Sequence, residues 1–282
     1  LAILELPGGG QPMTAPGGQD TIVFNGCIYN HAELRRELIG AGVVFRSDHS
    51  DTEVLLEGWK LWGEALLPRL DGMYAAVLWD SRRRTLITLT DRFGEKPLYV
   101  AGSPANGVWV LSSSAVGVHH AARAAGVTGG ALSGERTLRW LVYGGGIDPP
   151  FEGVARVPPG VHELSPDMNL RQLAGFAPTP VRSEWDAQDP KLEVGRRLDA
   201  AVAARLNADV PLAALLSGGV DSSLIAAAAQ RRSQHVVGRT DTALGHQHAV
   251  VWHQVAQVDT GVQIGGEGAQ VAVVDADQRR RY

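Results

Sequence analysis

Apolar positions along the first half of the chain change period repeatedly, and each change marks an element. LAILEL at 1–6 and TIVFNG at 21–26 read as short strands, the second stopped by Asn25-Gly26, with the Gly/Pro-rich stretch 7–20 as a surface loop between them. Leu34 and Leu38 recur at helical spacing after Asn30, a capping residue type, and before Gly40 and Gly42, which predicts a short helix. A second helix is predicted over 51–63, where Val54, Leu55, Gly58, Trp59 and Trp62 share a face and Asp51 and Glu53 favour the positive N-terminus. MYAAVLWD at 73–80 and TLITLTD at 85–91 read as strands joined by the polar turn SRRR, and 98–101 with 107–112 as a further hairpin. From 117 to 190 glycine and proline break the pattern into short pieces, with PFEGVARVPPGVHEL as a strand and turn at a domain edge, and the boundary is set near 180.

The period then changes class. A helix over 191–206 carries the stripe Val194, Leu198, Val202 and Leu206; VPLAALL at 210–216 reads as a buried strand, SGGVDSS at 217–223 as a loop, and LIAAAAQRR at 224–232 as a helix. Helix, strand, glycine turn and helix open a parallel α/β nucleotide-binding domain. Residues 233–282 contain no lysine, repeat Gln, His and Val, and show neither a helical stripe nor a long alternating strand.

The length of 282 residues gives a prior of about two domains. With Lys+Arg 26 against Asp+Glu 30, the net charge of -4 argues against a nucleic-acid backbone as partner. No apolar run approaches the ~20 residues of a membrane span. A single cysteine excludes a disulfide framework and a multi-thiolate zinc site, and it agrees with a reducing compartment, so the cytoplasm is the expected location. The chain opens at Leu1 and its first methionine is Met13, inside the loop, which is read as a fragment cut at its N-terminus.

The sharpest chemical signal is Ser217-Gly218-Gly219-Val220-Asp221-Ser222-Ser223 between a strand and a helix. Glycines leave backbone N–H groups uncovered and the helix N-terminus adds partial positive charge, which suits an anion; the Lys-Ser/Thr pair of a Walker loop is absent. Residues alone support an anion site. The spacing resembles the pyrophosphate loop of the N-type ATP pyrophosphatase family, which implies ATP phosphates on Ser217, Gly218, Gly219, Val220, Asp221, Ser222 and Ser223, with Leu216 in the nucleotide pocket and Mg2+ accompanying the ATP.

Five blocks in order, VFNGCIYNHAELRREL, SDTEVLLEGW, LDGMYAAVLWD, DRFGEKPLY and ADVPLAALLSGGVDSSLIAA, resemble a glutamine-hydrolysing asparagine synthetase. The resemblance implies an α+β N-terminal-nucleophile glutaminase domain, a four-layered αββα sandwich over 1–180, followed over 181–282 by the start of a parallel α/β ATP pyrophosphatase domain with an atypical tail from about 233. It implies glutamine, aspartate and ATP as partners; the oligomeric state stays open, a homodimer included. Asn25 and Gly26 match the oxyanion hole, Asp51 the carboxylate that holds the α-amino group of glutamine, and Leu1, Ala2, Ile3 and Leu4 the strand lining that pocket. Taken alone, Asn25-Gly26 reads as a turn and Asp51 as a helix cap.

Departures accompany the match. The family nucleophile, an N-terminal cysteine, and an arginine that clamps the glutamine carboxylate lie upstream of Leu1. Cys27 stands where the family has a glutamate beside the substrate amino group, and alone it reads as a small half-buried residue. After 232 no second nucleotide contact is recognisable, and His246, His248 and His253 read as part of a Gln/His-rich tail rather than a metal cluster. DRFGEKPLY reads as structural, and Trp59, Trp62, Trp79 and Trp109 as core. Two further readings stay open: a relative acting on another carboxylate, such as a β-lactam synthetase, and a catalytically dead protein that binds glutamine or nucleotide.

Overall fold

The computed structural model describes residues 3–5, 8–103, 107–144, 148–165, 169–177, 189–210, 212–215, 219–232, 237–239, 262–264 and 270–273. Its frame is an antiparallel meander: β2 (Thr21–Ile28) pairs with β3 (Gly72–Asp80), and β3 with β4 (Thr85–Thr90). The short β1 (Met13–Thr14) borders β2. β8 (Gly160–Leu164) and β9 (Leu170–Ala174) complete a six-stranded sheet in the order β1-β2-β3-β4-β8-β9. A second sheet is built on the hairpin of β5 (Tyr99–Ser103) and β6 (Val108–Ser112), with β7 (Ala155–Arg156) beside β5.

Alternation along β3 sorts the layers. Tyr74, Ala76 and Leu78 enter a core with Leu34 and Leu38 of α1 (His31–Gly40) and Val54, Leu55 and Trp59 of α2 (Asp51–Trp62). Ala75 and Val77 enter a second core, against Val100, Trp109 and Leu111 of the other sheet. That sheet's far face, Tyr99, Ala101 and Val110, packs on Val118 and Ala122 of α3 (Ala115–Ala124). Helix, sheet, sheet and helix is the αββα order expected, and Trp59 and Trp109 lie in its cores with Trp62 and Trp79 packed against them.

Several expectations are corrected. Residues 3–5 form no strand, although Ile3 and Leu4 are buried. β2 is not stopped by Asn25-Gly26 but runs through to Ile28, because Asn25 and Gly26 pair in register with Ala75 and Tyr74. Asn30 precedes α1 without a side-chain cap; its amide donates to Arg69 O (2.8 Å) and its Oδ1 accepts from Asp71 N (3.0 Å), tying α1 to the chain entering β3. Of the strand and turn expected over 151–165, β7 lies at the edge of the second sheet and β8 inside the first, between β4 and β9. Among the short pieces expected after 117, and in keeping with them, is α4 (Gly134–Tyr143), capped by Ser133.

The second half opens with α5 (Pro190–Arg205), capped by Asp189, whose expected stripe is only partly covered: Val202 is buried, whereas Val194 is exposed. β10 (Ala213–Leu215), α6 (Val220–Arg232) and β11 (Val237–Arg239) follow, with β10 and β11 parallel. The segment after 233 therefore contributes a strand where the pattern predicts none. Its later strands β12 (Val262–Ile264) and β13 (Gln270–Val273) extend the second sheet of the first half, β13 running parallel to β6. The expected tail histidines, and residues 265–269, lie outside the described residues.

Candidate functional site

Ile22, Phe24 and Ile28 of β2 face the α1/α2 core, so Asn25 and Cys27 lie on the opposite face. Gly26 sits where nothing larger fits: an ideal Cβ would lie 2.2 Å from Met73 O and 2.7 Å from Tyr74 Cα. Asn25 is half-buried and Gly26 buried. Cys27 packs in a small cluster with Ile3 and Leu4, against which Tyr29, Met73, Ala208 and Val210 rest. Burial pushes its thiol up to about 12; the Asp51 charge adds to this and Lys96 opposes it. The thiolate is thereby suppressed, and with it nucleophilic chemistry.

Asp51 is buried at the first position of α2, and its Oδ2 accepts from Ile28 N (3.0 Å), one residue beyond Cys27. The carboxylate is thus tied to the strand that carries Asn25 and Gly26. Burial pushes its protonation upward, while the Ile28 amide and the His31 charge pull it back. Capping of α2 falls instead to Ser50, whose Oγ accepts from Glu53 N (3.3 Å). The Glu53 carboxylate turns back to accept from Arg46 N and Ser47 N (2.8 Å each), which holds the loop in front of Asp51.

The DRFGEKPLY block closes one side. Asp91 accepts at Oδ1 from Phe93 N (2.9 Å) and Glu95 N (3.0 Å), and at Oδ2 from Tyr74 N (3.1 Å) and Lys96 N (3.2 Å), folding the turn against β3. Burial lowers the Lys96 ammonium, with Glu95 and Asp91 opposing. The block also reaches the second half: Glu95 Oε1 lies 3.6 Å from Arg205 Nη2, and the Arg205 guanidinium stands 5.0 Å from the Tyr29 ring centroid.

Of the expected pocket, Ile3, Leu4, Asn25, Gly26, Cys27 and Asp51 are brought to one end of β2, while Leu1 and Ala2 lie outside the described residues. Of the expected phosphate loop, Leu216, Ser217 and Gly218 also lie outside them. The helix starts at Val220 rather than 224, so Asp221, Ser222 and Ser223 occupy its first turn. There Ser223 N and Oγ donate to Gly219 O (3.1 and 2.8 Å), and Ser222 Oγ does so at 3.1 Å. Asp221 is exposed at the positive end of α6.

A family model described as glutamine amidotransferase domain matches residues 1–169. The chain belongs to the glutamine amidotransferase family. A second model, described as asparagine synthase, matches residues 193–256, beyond that domain. Asparagine synthetase (glutamine-hydrolyzing) 3 of Bacillus subtilis is 32% identical over 237 residues, covering 81% of this chain and 37% of that relative. Asparagine synthetase (glutamine-hydrolyzing) 1 of the same organism is 32% identical over 235 residues, covering 82% and 36%. An asparagine synthetase (glutamine-hydrolyzing) of Triphysaria versicolor is 34% identical over 242 residues, covering 84% and 34%. The chain spans little more than a third of the length of these relatives. No helix among the described residues is long and apolar enough to cross a membrane.

His49, Glu5, Asp209, Tyr29 and Arg205 also meet at this end of β2. Sequence reasoning passed over them. His49 and Asp209 are 160 positions apart, and no local pattern marks either.

Proposed function

We propose that the amidotransferase domain, taken as residues 1–180, binds glutamine at the end of β2, and that residues 181–282 begin the domain that binds ATP and Mg2+. Asn25 offers its side-chain amide and Gly26 its N–H to the oxyanion that forms when the glutamine amide is attacked. Asp51 holds the α-amino group, with Leu1, Ala2, Ile3, Leu4 and Cys27 around it. Ser217, Gly218, Gly219, Val220, Asp221, Ser222 and Ser223 would cradle the ATP phosphates, with Leu216 in the nucleotide pocket and Mg2+ accompanying the ATP. The reaction served is ATP-dependent formation of asparagine. An aspartate carboxylate oxygen attacks the α-phosphorus, pyrophosphate leaves, and ammonia from glutamine displaces AMP from the adenylate. The setting is a cytoplasmic homodimer.

One observation carries this reading. The hydrogen bond from Ile28 N to Asp51 Oδ2 ties this carboxylate to the strand that carries Asn25 and Gly26, which supports a shared glutamine site.

A second reading is a protein that binds glutamine or nucleotide without turnover: Cys27, standing where the resembled family has a glutamate, is buried and its thiol is pushed up to about 12. A third, action on a carboxylate other than aspartate, follows from the same adenylation chemistry.

Calorimetry on the whole chain separates the first two. Mg-ATP binding that disappears in a Ser217→Ala/Asp221→Ala double variant is the expected result, as is glutamine binding that disappears in Asp51→Asn. Binding of both ligands with no ammonia released selects the second reading. A folded chain that takes up neither ligand sinks both.

A further inference from the structure

His49 belongs to neither expected site. It lies in the loop leading into α2, two residues before Asp51, and each ring nitrogen meets a carboxylate. Nδ1 is 2.8 Å from Glu5 Oε2 and 3.3 Å from Asp48 Oδ2; Nε2 is 2.5 Å from Asp209 Oδ2. A neutral imidazole carries one N–H and satisfies one such acceptor, whereas the imidazolium donates from both nitrogens.

The backbone is drawn into the same knot. His49 N donates to Glu5 Oε2 (3.2 Å), Glu5 N donates to Asp209 Oδ2 (2.7 Å), and Asp209 N donates to Ile3 O (2.9 Å). Glu5 is held at φ 51, a left-handed conformation that a non-glycine residue keeps only when its surroundings impose it. Asp209 lies between α5 and β10, so the chain leaving this knot runs through β10 into the expected phosphate loop. Other contacts between the two halves are the small apolar cluster around Cys27, the exposed pairing of Arg205 with Glu95 and Tyr29, and the pairing of β13 with β6.

We propose that His49 is a positioning residue whose protonated ring clamps the segment entering β10 onto the loop that carries Asp51, and that this local clamp loosens when the ring loses its proton. That these halves bear glutamine and ATP rests on the functional reading above; the clamp itself does not.

The groups facing the ring are Glu5 from the N-terminal segment, Asp48 from its own loop and Asp209 from the second half, and His31 of α1 is the further charge felt by Asp209. The bond to Asp209 holds the ring above the ordinary histidine value, with Asp48 and Glu5 adding to this and partial burial opposing. Burial pushes the Asp209 carboxyl up, but the bonds from His49 and the Glu5 amide outweigh it and leave the group below its ordinary value. Because the histidine value is raised in the folded state, the clamp is complete below about 6.5 and is lost as pH rises through the raised value. At the acid end it is lost as pH falls through the lowered Asp209 value.

Nuclear magnetic resonance on the isotopically labelled full chain tests this without any ligand. The His49 ring titration and the exchange protection factors of the Glu5 and Asp209 amides are followed from about pH 5 to about 8. The expected result is a His49 midpoint above that of a free histidine and at least a tenfold fall in both protection factors as pH passes it. Asp209→Asn should lower the midpoint, His49→Gln should leave both protection factors flat with pH, and His49→Arg, permanently charged, should keep them high throughout. A His49 midpoint at the free value, or protection as dependent on pH in His49→Gln as in the parent, overturns the clamp. Failure of ATP or glutamine binding in calorimetry would sink the functional reading and leave these readouts unchanged.

Discussion

Gly26 shows how tightly one residue constrains the site. A methyl group there meets the carbonyl of Met73 at 2.2 Å and the Cα of Tyr74 at 2.7 Å, and both belong to the backbone of β3, which cannot swing aside. Gly26→Ala is expected to cost about 3 kcal/mol or more, or to prevent folding, in urea denaturation. Gly195 in the exposed run of α5 has nothing within 4 Å of such a methyl, so Gly195→Ala is expected to gain about 0.5–1 kcal/mol from helix propensity alone. The same letter in the sequence thus predicts opposite outcomes. Asn25-Gly26 shares this ambiguity: as a dipeptide it reads as a turn, and only the register with Ala75 and Tyr74 turns it into mid-strand.

At the scale of the element, α2 is built so that its first residue is free for other work. Ser50 caps the helix and Glu53 holds the preceding loop, which leaves Asp51 to bond Ile28 N. Burial raises the folded-state value of Asp51 above that of the unfolded chain, so the native state keeps the proton longer, and this group's contribution to stability falls as pH rises from the ordinary carboxylate value through the raised one. Asp51→Asn retains an acceptor for Ile28 N and removes the titration. Its stability should therefore lose this part of the pH slope in urea titrations from about pH 4 to about 7, with no loss at neutral pH, while glutamine binding disappears. A marked destabilisation at neutral pH would show that the carboxylate is structural instead. The start of α2 was legible from Asp51 and Glu53. The start of α6 was not: Val220, Asp221, Ser222 and Ser223 carry no apolar stripe, and the helix reaches back over them because Ser222 and Ser223 bond Gly219 O.

The whole molecule divides unequally. The first half buries three contiguous cores across four layers, whereas the described core of the second is Val202, Ala228 and Ala229, with Leu198 and Leu206 against them. Val220, Leu224 and Ile225 of α6 remain exposed. Local opening free energy follows buried apolar contact, so amide exchange in α5 and α6 should be faster by orders of magnitude than in β3 and β4, and protease should nick the second half first. Equal protection in both halves would contradict this. A further tie across the first half comes from Asp80, which accepts from Trp59 Nε1 (2.9 Å) on α2 and from Arg82 N and Arg83 N (3.0 Å each) in the β3–β4 turn.

What the sequence by itself determined was local. Hydrophobic period is a property of neighbouring residues, and it defined the strands of the β2–β3–β4 meander, the helices α1, α2 and α5, and the order of strand β10 and helix α6. The matching blocks added which residues to watch. Tertiary structure alone decided that β8 enters the sheet between β4 and β9, that Asp51 is fastened to Ile28 across 23 positions, and that His49 and Glu5 meet Asp209 across 160 and 204. The reason is physical: a strand's period states which face is buried but not which edge it pairs with, and a charged side chain acquires its partner only when distant segments are packed together.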